Sequence, residues 1–168
     1  NHDVQVPDSP SLSITGTGLT LAAWIYPTAA LGGALIHKDS QYSIYRYGDG
    51  TITYADSRNW CYACIGAYGS TPLGTWSHVA ATYDGSNVRI YINGTVVATI
   101  AQSGSLTDNA NPVYLGSYAG SSSFFAGKLD DVRLYNRALS AAEIATAGRA
   151  LADATGKIAQ VRDNAGRT

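Results

Sequence analysis

The segment 76–95 constrains the fold of this chain most strongly. Apolar and polar residues alternate along two stretches, which are joined by Asp84–Gly85 and followed by Asn93–Gly94. Asn and Gly accept the positive φ angles that tight hairpin turns require. The segment therefore predicts neighbouring antiparallel strands, and the aliphatic residues of the second strand share the face that points into a core.

A further hairpin is predicted in the segment 41–54, where Asp49–Gly50 separates two alternating runs. Alternation sends Tyr45 and Tyr47 to one face of the first strand and Arg46 to the other. One of these faces is aromatic and need not belong to the core.

Four segments, in this order along the chain, resemble the laminin-G-like, concanavalin-A-like jelly-roll family: 7–12, 19–27, 76–85 (with the pattern W-x-H-V-A-x-x-Y-D-G) and 127–140. The resemblance covers roughly residues 3–147. It implies an all-β fold, a two-sheet antiparallel β-sandwich (jelly roll) in which Trp24 and Trp76 are core residues. Ser140 followed by Glu143 is typical of a capping box, which predicts a short C-terminal helix.

The length of 168 residues fits one sandwich domain, which we place at 1–148, and we predict that 149–168 is a linker or surface segment. The net charge is −1 and no long run of one sign occurs, which argues against nucleic acid and membrane-surface partners. No apolar stretch approaches the roughly 20 residues of a membrane span. The chain begins at Asn1 without methionine, so we expect a mature form or an excised module fused to other modules.

Two cysteines, Cys61 and Cys64, lie in a segment with the composition of a loop. This spacing also occurs in zinc sites and redox motifs, but here neither a second ligand cluster nor a βαβ pattern accompanies it. We predict a local disulfide in a secreted protein, with free thiols as the alternative.

The chain has a single glutamate, Glu143, whereas glycoside hydrolysis typically uses two carboxylates across the scissile bond. The Glu-x-Asp-x-Glu pattern of jelly-roll glucanases is absent, and the neighbours Asp130 and Asp131 should face opposite sides of a strand. His78 lies within a strand and is interpreted as a packing residue. We therefore expect no catalytic site.

Alternation from Val132 places Asp130 on the core face, where a carboxylate needs a partner or a cation. Many members of the resembled family hold a structural calcium near the rim of the sandwich. That resemblance implies Asp3 and Asp130 as calcium ligands, with carbonyl groups completing the shell. The alternative is that Asp130 accepts backbone hydrogen bonds without a metal.

The predicted ligand-binding residues combine the tyrosine hairpin with the loop that holds the cysteines. Aromatic rings pack against the C–H faces of sugars, and polar side chains fix their hydroxyl groups. The candidates are Tyr45, Tyr47, Trp60, Tyr62 and Tyr68 as walls, and His37, Arg46, Arg58 and Asn59 as polar partners. Arginine would suit an acidic polysaccharide. Packing of the loop against its own apolar side is the competing explanation.

The leading hypothesis is a non-catalytic carbohydrate-binding module of a secreted multidomain protein, which binds a polysaccharide or glycan. A calcium-dependent protein-interaction or adhesion domain is the alternative, because laminin-G-like modules also bind proteins. A polysaccharide-degrading enzyme domain is a weaker alternative.

Overall fold

The computed structural model describes residues 3–58, 66–67 and 70–148. Within them the chain forms eleven strands and one helix. The strands are β1 Val4–Val6, β2 Leu19–Pro27, β3 Gly33–Lys38, β4 Tyr42–Arg46, β5 Ile52–Asp56, β6 Gly66–Ala67, β7 Ser77–Tyr83, β8 Asn87–Ile92, β9 Thr95–Ala101, β10 Val113–Leu115 and β11 Gly127–Tyr135. The helix is α1 Ala141–Ala147.

The strands form two sheets that pack face to face. One sheet has the order β1-β10-β3-β4-β5-β6, and the other has the order β11-β2-β7-β8-β9. Every neighbouring pair is antiparallel. The prediction of an all-β, two-sheet antiparallel sandwich with a short C-terminal helix is confirmed.

The core lies between the sheets and is built from alternate residues of each strand. The predicted inward-facing residues of β8 belong to it, namely Val88, Ile90 and Ile92. The turn after β8 has φ angles of 52° at Asn93 and 79° at Gly94, which confirms the predicted hairpin.

Helix α1 packs on the outer face of the five-stranded sheet. Ser140 caps the helix, because its side chain accepts a hydrogen bond from the backbone N–H of Glu143. The carboxylate of Glu143 in turn accepts a hydrogen bond from the backbone N–H of Ser140. Ile144 of the helix is buried in a small apolar cluster with Ala22 and Tyr91 of the sheet. The helix therefore gives this sheet a second buried face over part of its width.

Strand β11 departs from simple alternation at Asp131, which has a φ angle of 47°. The strand register shifts between Asp130 and Arg133, as expected of a β-bulge. Asp130 consequently pairs with Trp24 on the outer face, while Val132 is buried in the core. The expectation that Asp130 shares the face of Val132 is wrong, because the bulge adds one residue between them.

Candidate functional site

The outer face of the six-stranded sheet carries several tyrosines. Tyr45 lies on β4 between two residues that point into the core, and its ring contacts that of Tyr47 with centroids 5.1 Å apart at 59°. On β10, Tyr114 is paired with His37 of β3 and shares its face. Tyr118, in the loop after β10, stacks on the His37 ring. We call Tyr45, Tyr47, Tyr114 and Tyr118 the tyrosine face.

Exposure differs across this face. Tyr47 is 38% exposed, and Leu31, whose carbonyl group accepts a hydrogen bond from Arg46, is 60% exposed. The other three tyrosines are half-buried. Gly32 leaves room for the Tyr45 hydroxyl, since a Cβ atom at Gly32 would lie 2.7 Å from it. A ligand would therefore meet the tyrosine face first at Tyr47.

His37 forms part of the floor of the tyrosine face. Its side chain is fully buried, its Nδ1 lies 3.3 Å from Ser43 Oγ, and its ring centroid is 4.1 Å from that of Tyr118. Burial lowers the pKa of His37 to about 4, although the negative charge of Asp39 opposes this shift. The imidazole is therefore neutral near pH 7 and supports Tyr118 from below.

Arg46 lies on the core side of β4, as alternation requires, and is 2% exposed. Its Nε donates to Thr71 Oγ1 and one terminal nitrogen donates to the Thr71 carbonyl, both at 2.9 Å. The other terminal nitrogen donates to the carbonyl of Tyr47 at 3.0 Å. Burial lowers the pKa of this guanidinium. Arg46 thus holds the backbone of Tyr47 from within instead of facing a ligand.

Arg58 is also committed to internal partners. It forms a bidentate ion pair with the buried carboxylate of Asp56 and donates to the carbonyl of Gly104 at 3.3 Å. Its guanidinium carbon lies 3.5 Å from the ring centroid of Tyr83, a cation–π geometry. Both predicted arginines are therefore structural groups in the described part of the chain, in contrast to the expectation that they face a ligand.

The remaining predicted ligand-binding residues lie outside the described residues and stay predictions: Asn59, Trp60, Tyr62 and Tyr68. The predicted disulfide between Cys61 and Cys64 lies there as well. Tyr114 was missed in the sequence analysis, although the alternation of β10 signals its outward direction because Val113 and Leu115 face the core.

The two predicted calcium ligands have partners within the protein. Asp3 Oδ2 accepts a hydrogen bond from Ser117 Oγ at 2.8 Å, and Asp130 Oδ1 accepts one from the backbone N–H of Asp131 at 2.7 Å. Among the described residues, no three His, Cys, Asp or Glu side chains come together in a metal-binding arrangement. The predicted calcium site, in which carbonyl groups complete the shell around Asp3 and Asp130, stays a prediction.

The family follows from a comparison with known sequence families. Residues 1–145 match the laminin G type of the concanavalin A-like lectin/glucanases superfamily. The chain belongs to this superfamily. No curated protein matches the chain significantly in sequence. No helix among the described residues of this concanavalin A-like domain is long and apolar enough to cross a membrane.

Solved structures share the concanavalin A-like sandwich at low sequence identity. A candidate carbohydrate-binding protein from Bacteroides ovatus superposes with a TM-score of 0.72 and 18% identity, over 86% of this chain and 44% of that protein. Domain 4 of the extracellular arabinanase AbnA from Geobacillus stearothermophilus, solved with arabinotriose, superposes with a TM-score of 0.66 and 22% identity, over 87% of this chain and 72% of that domain. A heptameric pentraxin from Limulus polyphemus superposes with a TM-score of 0.62 and 18% identity, over 99% of this chain and 89% of that protein. The chain thus spans less than half of the Bacteroides ovatus protein, and these similarities show the fold.

Proposed function

We propose that this chain is a non-catalytic carbohydrate-binding module of a secreted multidomain protein and that it binds a polysaccharide on the tyrosine face. The observation that carries the proposal is the ring pair of half-buried Tyr45 and exposed Tyr47 on the outer face of the six-stranded sheet. The superfamily includes lectins, and one similar structure is an arabinanase domain that holds arabinotriose. Both findings support a sugar ligand.

The tilted pair suits a sugar chain physically. Tyrosine rings offer flat apolar surfaces to the C–H faces of sugars, and each hydroxyl group adds a donor and an acceptor at the rim. Arg46 and Arg58 use their guanidinium groups internally, so neither of these two predicted residues offers its charge to an acidic polysaccharide. We therefore expect a neutral glycan to bind this face more strongly than a uronic acid polymer.

Retention on a panel of neutral and acidic polysaccharides tests the proposal. Tyr47→Ala should weaken retention about tenfold, as expected for an aromatic residue that anchors a ligand. Because Tyr47 is 38% exposed but its ring contacts that of Tyr45, its removal should lower the free energy of unfolding by only about 1 kcal/mol and leave the domain folded. Val4→Ala is the matched control, since Val4 is 56% exposed on the edge strand β1.

Two results would contradict this assignment. Full retention of Tyr47→Ala and of Tyr45→Ala would remove the tyrosine face as the site. Release of reducing ends or unsaturated products from any of the polysaccharides would show catalysis and contradict a purely binding role. Trp60→Ala tests the part of the proposed site that lies outside the described residues in the same assay.

Secretion, the Cys61–Cys64 disulfide and calcium belong to the same proposal. A thiol titration under denaturing conditions should find no free thiol if the disulfide forms. A chelator should lower the melting temperature if calcium supports the fold at Asp3 and Asp130. An unchanged melting temperature would remove the calcium prediction.

A further inference from the structure

The outer face of the five-stranded sheet is covered by helix α1 over only part of its width. Beyond the helix, this face carries Trp24 and Tyr26 of β2 and His78 of β7. Trp76, just before β7, was expected in the core but is 36% exposed, and its ring centroid lies 5.5 Å from that of Tyr26. This is an aromatic surface on the opposite side of the sandwich from the tyrosine face.

A cleft of about 460 Å³ opens in this surface, beside the end of helix α1. Its lining consists of Trp24 and Trp76, the turn Asn93–Gly94–Thr95, and Ala145 and Gly148 at the helix end. We call it the tryptophan cleft. Its volume falls within the roughly 300–1,000 Å³ that small-molecule sites occupy.

Close contact between the turn and the helix shapes one wall of the cleft. A Cβ atom at Gly94 would lie 3.2 Å from the Cα of Ala145, so a larger residue at Gly94 would separate the hairpin from the helix. A Cβ atom at Gly148 would lie 3.1 Å from His78 Nδ1. Small residues therefore leave this wall free of side chains that would fill the cleft.

The same turn offers polar groups to the cleft on either side of Gly94. Asn93 is exposed, and its Oδ1 accepts a hydrogen bond from the backbone N–H of His78 at 2.9 Å, which fixes the amide group. Within the described part of the chain, its Nδ2 donates to no other residue, and the exposed Thr95 hydroxyl has no partner there. Trp24 Nε1 is buried in the floor and lacks a hydrogen-bond partner as well.

Charge selects the class of ligand. The lining residues are all uncharged. Around the cleft, Lys128 lies with its Nζ 5.4 Å from the Tyr26 ring centroid, and Asp130 is paired with Trp24 on the same face. Asp131 and Arg133 add a second anion and a second cation, which act in opposite senses on His78 of the same face. The charges around the cleft therefore balance, and the cleft favours neither an acidic nor a basic ligand.

We propose that the tryptophan cleft is a second glycan-binding site, in which Trp76 stacks on a neutral sugar and Asn93 and Thr95 bind its hydroxyl groups. The ligand class rests on the proposed function of the tyrosine face. The two sites lie on the outer faces of two packed sheets and so point in opposite directions. One molecule therefore binds two glycan chains and bridges them, which raises retention on a polymer above that of either site alone.

Affinity electrophoresis in gels that contain soluble linear arabinan, galactomannan or hydroxyethyl cellulose tests the second site. Trp76→Ala should weaken retention about tenfold, as the removal of a stacked aromatic anchor does. Trp76→Phe should recover part of the loss, because it keeps an aromatic face. Val4→Ala should migrate like the unmodified protein, and unchanged melting temperatures establish that each variant is folded.

Bridging gives an independent measurement. The unmodified protein should increase the turbidity or light scattering of the soluble polysaccharide, and Trp76→Ala and Tyr47→Ala should each bind without this increase. Full retention of folded Trp76→Ala would overturn the second site and leave the tyrosine face intact. Retention on acidic polysaccharides alone would overturn the neutral ligand class. If the unmodified protein is retained by no polysaccharide, both the proposed function and the second site are refuted.

Discussion

Arg46 provides the sharpest test of which residues are structural in this domain. Arg46→Met keeps the length of the apolar stem but removes every donor that the guanidinium supplies. The carbonyl groups of Thr71 and Tyr47 then lose hydrogen bonds of 2.9 and 3.0 Å. A buried polar group left without a partner costs about 1–3 kcal/mol, and the retained stem offsets part of the sum. We therefore predict a loss of about 3 kcal/mol in the free energy of unfolding.

Urea denaturation, followed by tryptophan fluorescence, measures this loss. With an m-value of about 2 kcal/mol/M, the midpoint should fall by about 1.5 M, and the melting temperature should fall by about 6–12 °C. Arg89→Met is the matched control, because Arg89 forms a partly exposed ion pair with Asp84 and should lose less than about 1 kcal/mol. If Arg46→Met is as stable as the unmodified protein but no longer binds glycan, the guanidinium contacts the ligand and our reasoning is wrong.

Four further predictions concern stability. Burial holds the pKa of His37 and of His78 at about 4 in the folded chain, against about 6.5 in the unfolded chain, so the free energy of unfolding should fall as the pH decreases from 6.5 to 4. Urea titrations at pH 7 and at pH 4.5 measure this fall. The variant His78→Phe should make the free energy of unfolding depend less on pH. Ser140→Ala should cost about 1 kcal/mol in the same assay. Hydrogen bonds from Arg137 and then Ser140 lower the pKa of Glu143 to about 2, so the stability difference from Glu143→Gln should be complete above pH 4.5 and vanish as the pH falls to 2. Gly33→Ala should destabilise by about 2 kcal/mol in thermal melts, because its Cβ would lie 2.4 Å from a backbone atom of the neighbouring loop.

Local sequence patterns were sufficient to predict most of the fold. Asn93–Gly94 forms the expected turn, and the capping box of Ser140 and Glu143 opens the expected helix. Both signals act within a few residues, so tertiary contacts do not override them. The bulge at Asp131 has no such signal, since a non-glycine residue there adopts a φ angle of 47°. One unpredicted residue was enough to move Asp130 from the core face to the outer face.

The candidate site was predicted less well, for reasons that differ between residues. Tyr45 and Tyr47 face outward, as strand alternation requires. The same alternation points Arg46 toward the core, where it is buried. Arg46 was predicted to contact a ligand because arginine suits acidic sugars, and that prediction did not take the direction of its side chain into account. Arg58, in the turn after β5, binds Asp56 two residues before it and Gly104 from a distant loop. Only the folded chain reveals that second contact, because the two residues are far apart in sequence.

Trp24 and Trp76 show why alternation is ambiguous in this sandwich. Along β2, Leu21, Ala23 and Ile25 point into the core, yet the intervening residues are also mostly buried, because helix α1 and the hairpin after β8 cover part of the outer face. In a strand that is buried on both faces, apolar and polar residues no longer alternate, so the sequence does not show which side chains point into the core. The type of apolar residue still differs between the two faces. Along β2, aliphatic side chains point into the core, whereas the rings with polar atoms, Trp24 and Tyr26, face outward. On that side a hydroxyl-bearing ligand can reach the exposed Trp76 beside them.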